Sequence, residues 1–84
     1  MKNKEWFFYI VRCNDDSLYS GITDDIDKRL KAHNTGKGAK YTASHHPVSL
    51  VYWEKHDDIS QARKREAQIK NWPKSKKEAL IKGS

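Results

Sequence analysis

Five side chains in the sequence carry groups that could act together on a phosphate ester. They are the phenols of Tyr9 and Tyr19, the guanidinium of Arg29, the imidazole of His33 and the carboxylate of Glu66. A carboxylate can hold a divalent metal ion that polarises a phosphodiester and takes up leaving-group charge. A guanidinium contacts phosphate at two points in one plane. A free phenol has a pKa near 10, so it needs positive charge nearby before it can act as a base.

Glu66 occupies a position where the pattern of its segment predicts an apolar residue. On a helix over residues 59–71, the stripe facing the core contains Glu66 together with two isoleucines and an alanine. A carboxylate buried there without a partner would cost several kcal/mol. Two partners are open: a structural salt bridge to Arg29 or Arg63, or a metal ion. The helix pattern alone favours the salt bridge.

The other four residues also have ordinary structural explanations. Arg29 and His33 are four residues apart and share one helix face, where exposed side chains are common. Tyr9 and Tyr19 lie in strand-like segments, in which most tyrosines pack in a core. Tyr41 follows in a basic loop that it could simply anchor. None of these residues taken singly indicates a catalytic site.

The first quarter of the chain predicts a β-hairpin. Residues 6–11 are all aromatic or β-branched, which is typical of a strand buried on both faces. Turn-forming residues follow at 14–17. Residues 18–22 then alternate apolar and small side chains, as a second strand should.

The length of the hairpin loop decides whether the two strand tyrosines share a face. A three-residue loop at 14–16 pairs Cys13 with Ser17. Tyr9 then stands opposite Gly21, and both phenols leave the same face of the sheet. A two-residue loop would turn one tyrosine to the other face. We predict the odd-length loop.

A helix and a third strand follow the hairpin. Thr23 or Asp24 can cap a helix that ends near Asn34, where Gly36 stops it. Residues 36–47 are basic and unpatterned, which predicts a loop with room for one helical turn. Residues 48–53 have strand composition.

Two helices complete the chain. Asp58 can cap a helix over residues 59–71, with Gln61 in the capping-box position. A proline then restricts the residue before it to extended geometry. Ser75 and Glu78 form a second capping box, which predicts a short terminal helix.

The predicted order is β-β-α-loop-β-α-α, for which the simplest α+β solution is a three-stranded antiparallel sheet flanked by helices. The 84 residues suffice for one domain, residues 1–84, with a modest core. The net charge is +6, and residues 55–84 carry most of it. This asymmetry fits a nucleic-acid partner, but a solvated basic helix face would explain it equally well.

Several classes of protein and site are excluded. One cysteine, Cys13, allows neither an internal disulfide nor a four-thiolate zinc site. The four histidines do not fall on a familiar zinc spacing. The apolar run at 6–11 is too short for a signal peptide or a membrane span. We therefore expect a cytoplasmic protein without a membrane partner.

The candidate residues also form an ordered pattern: Tyr9-Ile10-Val11, Tyr19-Ser20-Gly21, Arg29-x-x-x-His33 and Glu66. It resembles the GIY-YIG nuclease superfamily, and within it the small bacterial YhbQ-like (UPF0213) group of single-domain proteins. Phe8 replaces the glycine of the first triplet. Residues 23–36 also resemble the branch of structure-specific endonucleases that process branched DNA. The likeness covers about residues 7–81.

The resemblance implies an endonuclease that hydrolyses phosphodiester bonds with one divalent metal ion, Mg²⁺ or Mn²⁺. Glu66 would hold the ion. Arg29 would contact phosphate and stabilise transition-state charge. One of Tyr9 and Tyr19 would position or deprotonate the attacking water, and the other would line the site. His33 would transfer a proton or position phosphate.

DNA is the expected substrate, whether branched, damaged or single-stranded. Phosphate contacts and stacking are expected from two basic segments: Lys40 and Tyr41 after the first helix, and Lys70, Trp72 and Lys74 near the end. An asparagine that many members carry on the last helix has no secure counterpart, because Asn71 lies too close to Glu66. A nucleic-acid-binding module with weak or no cleavage is therefore a second hypothesis, and an adaptor that contacts a protein partner is a third.

Overall fold

The aromatic and β-branched run near the start of the chain forms the central strand of a three-stranded antiparallel sheet. The computed structural model describes residues 5–83. Strand β1 spans Trp6–Arg12 and pairs with β2 (Leu18–Thr23) on one side and β3 (Ser49–His56) on the other. The predicted sheet is confirmed, and β2 and β3 are its two edges.

The hairpin has the predicted three-residue loop. The backbone N–H of Cys13 donates to the carbonyl of Ser17 at 2.8 Å, and Asp16 takes a left-handed φ of 71°. A three-residue hairpin loop requires such a residue at its end. Tyr9 pairs with Gly21. Tyr9 and the tyrosine of β2 therefore share one face of the sheet.

Two helices lie on the Tyr9 face. Helix α1 spans Ile26–Asn34 and α2 spans Lys40–His45. The predicted cap of α1 was wrong. The carboxylate of Asp25 accepts from the backbone N–H of Lys28 at 3.1 Å, while the Thr23 hydroxyl accepts from the N–H of Asp25. Residues 36–47 hold a six-residue helix rather than a single turn in a loop.

The remaining two helices cover the opposite face. Helix α3 spans Ile59–Lys70 and α4 spans Lys74–Ile81. The predicted cap of α3 is confirmed, since the Asp58 carboxylate accepts from the N–H of Gln61 at 2.9 Å.

The predicted Ser75–Glu78 capping box is wrong. Helix α4 begins at Lys74 with no side-chain cap. Glu78 instead accepts from both terminal nitrogens of Arg12, at 2.7 and 2.6 Å. This two-point ion pair fastens α4 to the end of β1, and it holds the pKa of Glu78 below its usual value.

The sheet separates two hydrophobic clusters. Phe8, Ile10 and Ile69 are fully buried on the α3–α4 face. Tyr9 and Val11 lie in the second cluster, on the α1–α2 face. Successive residues of β1 thus point their side chains alternately into the two clusters, as the composition of the strand predicted. No helix within residues 5–83 is long and apolar enough to cross a bilayer.

We expect Ile69→Ala to lower the free energy of unfolding by roughly 2–5 kcal/mol, because it opens a cavity in the α3–α4 cluster. Urea unfolding followed by tryptophan fluorescence measures the loss. Lys64→Ala, an exposed change on the same helix, should shift stability by no more than about 0.5 kcal/mol. Equal effects of the two changes would contradict this description of the core.

Candidate active site

A buried chain of hydrogen bonds joins α1, β1 and α2. The Nε–H of Arg29 donates to the Tyr9 hydroxyl oxygen at 3.4 Å, and that hydroxyl lies 2.8 Å from Nε2 of His33. Nδ1 of His33 lies 2.6 Å from the hydroxyl of Thr42, which donates to the carbonyl of Ala39 at 3.0 Å. His33 and Thr42 have no exposed surface, and Tyr9 is 3% exposed.

Two glycines make room for this chain. A Cβ built on Gly21 would lie 2.7 Å from the Tyr9 hydroxyl, because the tyrosine ring lies across the facing strand. A Cβ on Gly38 would lie 2.3 Å from Nδ1 of His33. Only glycine therefore lets β2 and the α1–α2 loop approach these two rings so closely.

The surroundings shift the proton equilibria of the chain. Burial lowers the pKa of His33 below its usual 6.5, and the charge of Arg29 lowers it further, so the ring is neutral at pH 7. Burial raises the pKa of Tyr9, against the hydrogen bond and charge of Arg29. The negative charge of Glu66 adds to the rise. Tyr9 thus stays protonated at pH 7.

Tyr19 is held by aromatic contacts. Its ring meets the edge of His33 at 5.5 Å between centroids and stacks on Tyr41 at 6.1 Å. Tyr41 in turn stacks on His45 at 4.2 Å, and its hydroxyl donates to Ser17 at 2.6 Å. Tyr41 therefore supports Tyr19 from α2.

Glu66 lies at the β2 edge of the sheet, in an open cleft of about 380 Å³. The cleft is lined by Leu18, Tyr19, Ser20, Glu66, Lys70 and Lys77. Glu66 is half-buried and forms no hydrogen bond or ion pair within the described residues 5–83. The structural salt bridge to Arg29 or Arg63 was therefore wrong. The carboxylate is open to a ligand in the cleft.

The protein donor set at Glu66 is a single carboxylate. Nowhere in residues 5–83 do three or more histidine, cysteine or acidic side chains form a group that could hold a metal. A preformed cage is thus absent from this part of the chain. Mg²⁺ often binds through one or two carboxylates and keeps water and substrate phosphate as its other ligands. Glu66 alone fits an ion of that type.

Comparisons with known proteins identify the family of this chain. Residues 5–79 match the GIY-YIG catalytic domain family model. The chain belongs to the GIY-YIG family. It is 47% identical over 81 residues to a UPF0213 protein of Bacillus velezensis, covering 96% of this chain and 82% of that protein. It is 50% identical over 76 residues to a UPF0213 protein of Staphylococcus aureus, covering 90% and 93%.

Two solved structures of similar proteins have the same fold. The solution NMR structure of the UPF0213 protein BH0048 from Bacillus halodurans has a TM-score of 0.60 and 38% identity, and covers 93% of this chain and 83% of that one. The solution NMR structure of EF2693 from E. faecalis has a TM-score of 0.64 and 40% identity, with 98% and 88% covered. The family and the fold inferred from the sequence are therefore confirmed.

The residues predicted to contact nucleic acid do not all reach the cleft of this GIY-YIG domain. Lys70 lines it, and Lys77 joins it from α4. Lys74 instead pairs with Asp16 at 3.2 Å, away from Glu66. Trp72 packs on the opposite face of the sheet, with the amine of Lys76 over its ring at 4.2 Å.

The two residues predicted on α2 have different positions. Lys40 is exposed at the first turn of the helix. Tyr41 is 40% exposed, but its ring lies between Tyr19 and His45. Lys40 is thus open to a backbone phosphate, whereas Tyr41 is engaged within the protein.

Sequence reasoning missed Thr42, and the proton-transfer role predicted for His33 stays a prediction. Both ring nitrogens of His33 are engaged inside the protein, so the ring does not offer phosphate a direct contact. A buried histidine needs a partner for each nitrogen. The sequence carries no sign that a threonine nine residues later supplies one.

We expect Gly21→Ala to destabilise the protein by roughly 1–3 kcal/mol, because the added methyl forces the Tyr9 ring away from His33. The closest atom is the hydroxyl, so the penalty should be smaller in a Tyr9→Phe background. Urea unfolding of the four proteins of this cycle measures the difference. Ser20→Ala is the neighbouring control, and an equal Gly21→Ala penalty in both backgrounds would contradict the contact.

Proposed function

We propose that this GIY-YIG domain is a divalent-metal-dependent endonuclease that hydrolyses phosphodiester bonds in nucleic acid. One observation carries the proposal. Tyr19 lines the cleft beside Glu66, and its ring meets His33, which shares the Tyr9 hydroxyl with Arg29. A phosphate that extended from this cleft towards Arg29 would meet a carboxylate, a phenol and a guanidinium.

Arg29 is the proposed phosphate contact. Its Nε–H is used by Tyr9, while the two terminal nitrogens form no hydrogen bond or ion pair with other residues of the described 5–83 range. Those nitrogens supply the paired N–H groups that recognise phosphate oxygens. Their fixed charge would stabilise the negative charge that grows on the phosphoryl group in the transition state.

The two tyrosines have different proposed roles. Tyr19 is half-buried and lines the cleft beside Glu66, which supports the proposal that its hydroxyl contacts the attacking water. Tyr9 is buried and bonded to Arg29 and His33, so it orients these groups. The sequence left open which tyrosine has which role, and we propose one role for each on the basis of these positions.

Glu66 would hold the metal ion, Mg²⁺ or Mn²⁺, together with water and substrate phosphate. The bound ion would supply charge stabilisation for the phosphoryl oxygens and the leaving group. Glu66 contributes a half-exposed carboxylate with no competing partner among residues 5–83, next to Tyr19.

DNA is the proposed substrate, with branched, damaged or single-stranded forms as the favoured class. Lys70 and Lys77 flank the cleft, and Lys40 lies exposed on α2, so cations are available for backbone phosphates on two sides. Phosphate contacts of this kind fix position without reading base sequence. We propose that residues 1–84 act as a single domain and that they act in the cytoplasm, where such DNA is found.

A nucleic-acid-binding module with weak cleavage is the second candidate. It is favoured by the single carboxylate at the site, since no other acidic, histidine or cysteine group within residues 5–83 joins Glu66 in a metal cluster. The two candidates predict different effects of the metal ion and of Glu66. The endonuclease needs both of them for cleavage, whereas the binding module binds nucleic acid without either.

We expect Glu66→Gln to reduce metal-dependent cleavage by roughly 10²–10³-fold, because loss of the ion removes several kcal/mol of transition-state stabilisation. DNA affinity in Ca²⁺ should change little. The assay uses single-stranded, duplex and branched DNAs, and RNA, with Mg²⁺, with Mn²⁺ or with chelator.

Glu5→Gln is the matched control for this assay. Glu5 is an exposed carboxylate that pairs with Lys55 at the far end of β1. It should leave cleavage unchanged, whereas the Glu66→Gln protein, purified in the same way, controls for contaminating nuclease. A wild-type protein that binds these DNAs but cleaves none of them would favour the binding module.

We expect DNA affinity to fall steeply between ~50 and ~200 mM salt, because bound lysines displace condensed counterions. Lys70→Gln with Lys77→Gln should lower the slope of log affinity against log salt by about 1 for each lysine. Lys64→Gln changes an exposed lysine of α3 outside the cleft and should leave the slope unchanged. A slope that is the same in all three proteins would place the DNA elsewhere.

A further inference from the structure

The buried chain from Arg29 to Ala39 has a fixed direction of hydrogen bonding. Arginine can only donate, so the Arg29 end of the chain is set, and a carbonyl can only accept. The single hydroxyl proton of Thr42 can go to the Ala39 carbonyl, which also accepts the backbone N–H of Ala43. With that proton on the carbonyl, the Thr42 oxygen accepts a hydrogen bond from the Nδ1–H of His33, at 2.6 Å.

This direction of hydrogen bonding determines the tautomer of His33. A neutral imidazole carries one N–H, so a proton on Nδ1 leaves Nε2 as an acceptor. The Tyr9 hydroxyl donates to that nitrogen at 2.8 Å. The Tyr9 oxygen keeps its lone pairs for Arg29, whose Nε–H points at it.

The opposite direction satisfies fewer groups. If Nε2 of His33 carried the proton, the Tyr9 oxygen would face two donors, and its own proton would have no acceptor in the chain. Thr42 would then donate to Nδ1 instead of to the Ala39 carbonyl, which keeps the backbone N–H of Ala43. An unpaired polar group in so buried a place costs roughly 1–3 kcal/mol.

We infer that Thr42 is a positioning residue for Arg29: it fixes the tautomer of His33, and through His33 and Tyr9 it holds the guanidinium in place. This role rests on the proposed function, in which Arg29 contacts the phosphate. Thr42 itself lies inside the protein and touches no substrate. Thr42 orders the Arg29 side chain before phosphate binds. The conformational entropy of that side chain is then not lost on binding.

The tautomer of His33 is measurable without any enzyme assay. Long-range ¹H–¹⁵N spectra of the free protein at neutral pH distinguish a protonated ring nitrogen from an unprotonated one. We expect wild type and Thr42→Ser to show a protonated Nδ1 and an unprotonated Nε2, because serine keeps the hydroxyl. Thr42→Val removes the acceptor, so its His33 should shift towards the Nε2–H tautomer.

Thr35→Val is the matched control. Thr35 also donates its hydroxyl to main-chain carbonyls, those of Lys31 and Ala32 at the end of α1, and not to the His33 ring. It should leave both ring nitrogens and the Arg29 Nε–H signal unchanged. A protonated Nε2 in the wild type, or a Thr42→Val protein that keeps the Nδ1–H form, would overturn the inference.

Cleavage kinetics test the link to Arg29. We expect Thr42→Val to lower kcat by roughly 10- to 100-fold with little change in KM, and Thr42→Ser to restore it. Wild-type kcat in a folded Thr42→Val protein would overturn the positioning role. If Thr42→Val does not fold, the wild-type and Thr42→Ser spectra still decide the tautomer. A wild type that cleaves nothing yet shows the Nδ1–H form would count against the nuclease proposal and leave the tautomer assignment supported.

Discussion

The hydroxyl of Tyr9 is the buried polar group around which the site is arranged. At 3% exposure it has almost no access to water, so its oxygen and its proton each need a partner within the protein. Arg29 and His33 are those partners, and both come from α1. The position of the Tyr9 ring depends in turn on the hairpin register, which places Gly21 opposite it. A bulkier residue at 21 would occupy the space of the hydroxyl.

The site forms at an edge of the sheet because its groups come from opposite faces. Arg29 lies on the α1–α2 face, whereas Glu66 belongs to a helix that packs on the other face. Such groups can approach each other only around the edge strand, which here is β2. Tyr19 lies on that strand and contacts both His33 and the Glu66 cleft. The two hydrophobic clusters thus stabilise the fold, and the cleft beside Glu66 stays open at the edge of the sheet.

Local chemistry made much of the fold predictable. The hairpin, its odd-length loop and the Asp58 cap each depend on residues close in sequence, and the structure confirms them. The predictions that failed involve either several residues that compete for one role or partners that lie far apart in the sequence. Thr23, Asp24 and Asp25 are all good capping residues, and the backbone geometry after β2 decided among them. Glu78 had a local role available as a capping residue, but Arg12, 66 positions away in the chain, binds it instead.

At the site, the sequence identified side chains but not their partners, and Glu66 illustrates the difference. The helical pattern indicated burial, which would have required a counter-charge; the carboxylate is instead half-exposed, so water can solvate it. Lys70 is four residues further along the same helix, a spacing at which glutamate and lysine commonly pair. The two form no ion pair, although both line one cleft. A carboxylate that pairs with neither this lysine nor an arginine within residues 5–83 gives the fold little stability. The Glu66 carboxylate therefore stays available in the cleft that Lys70 and Lys77 also line.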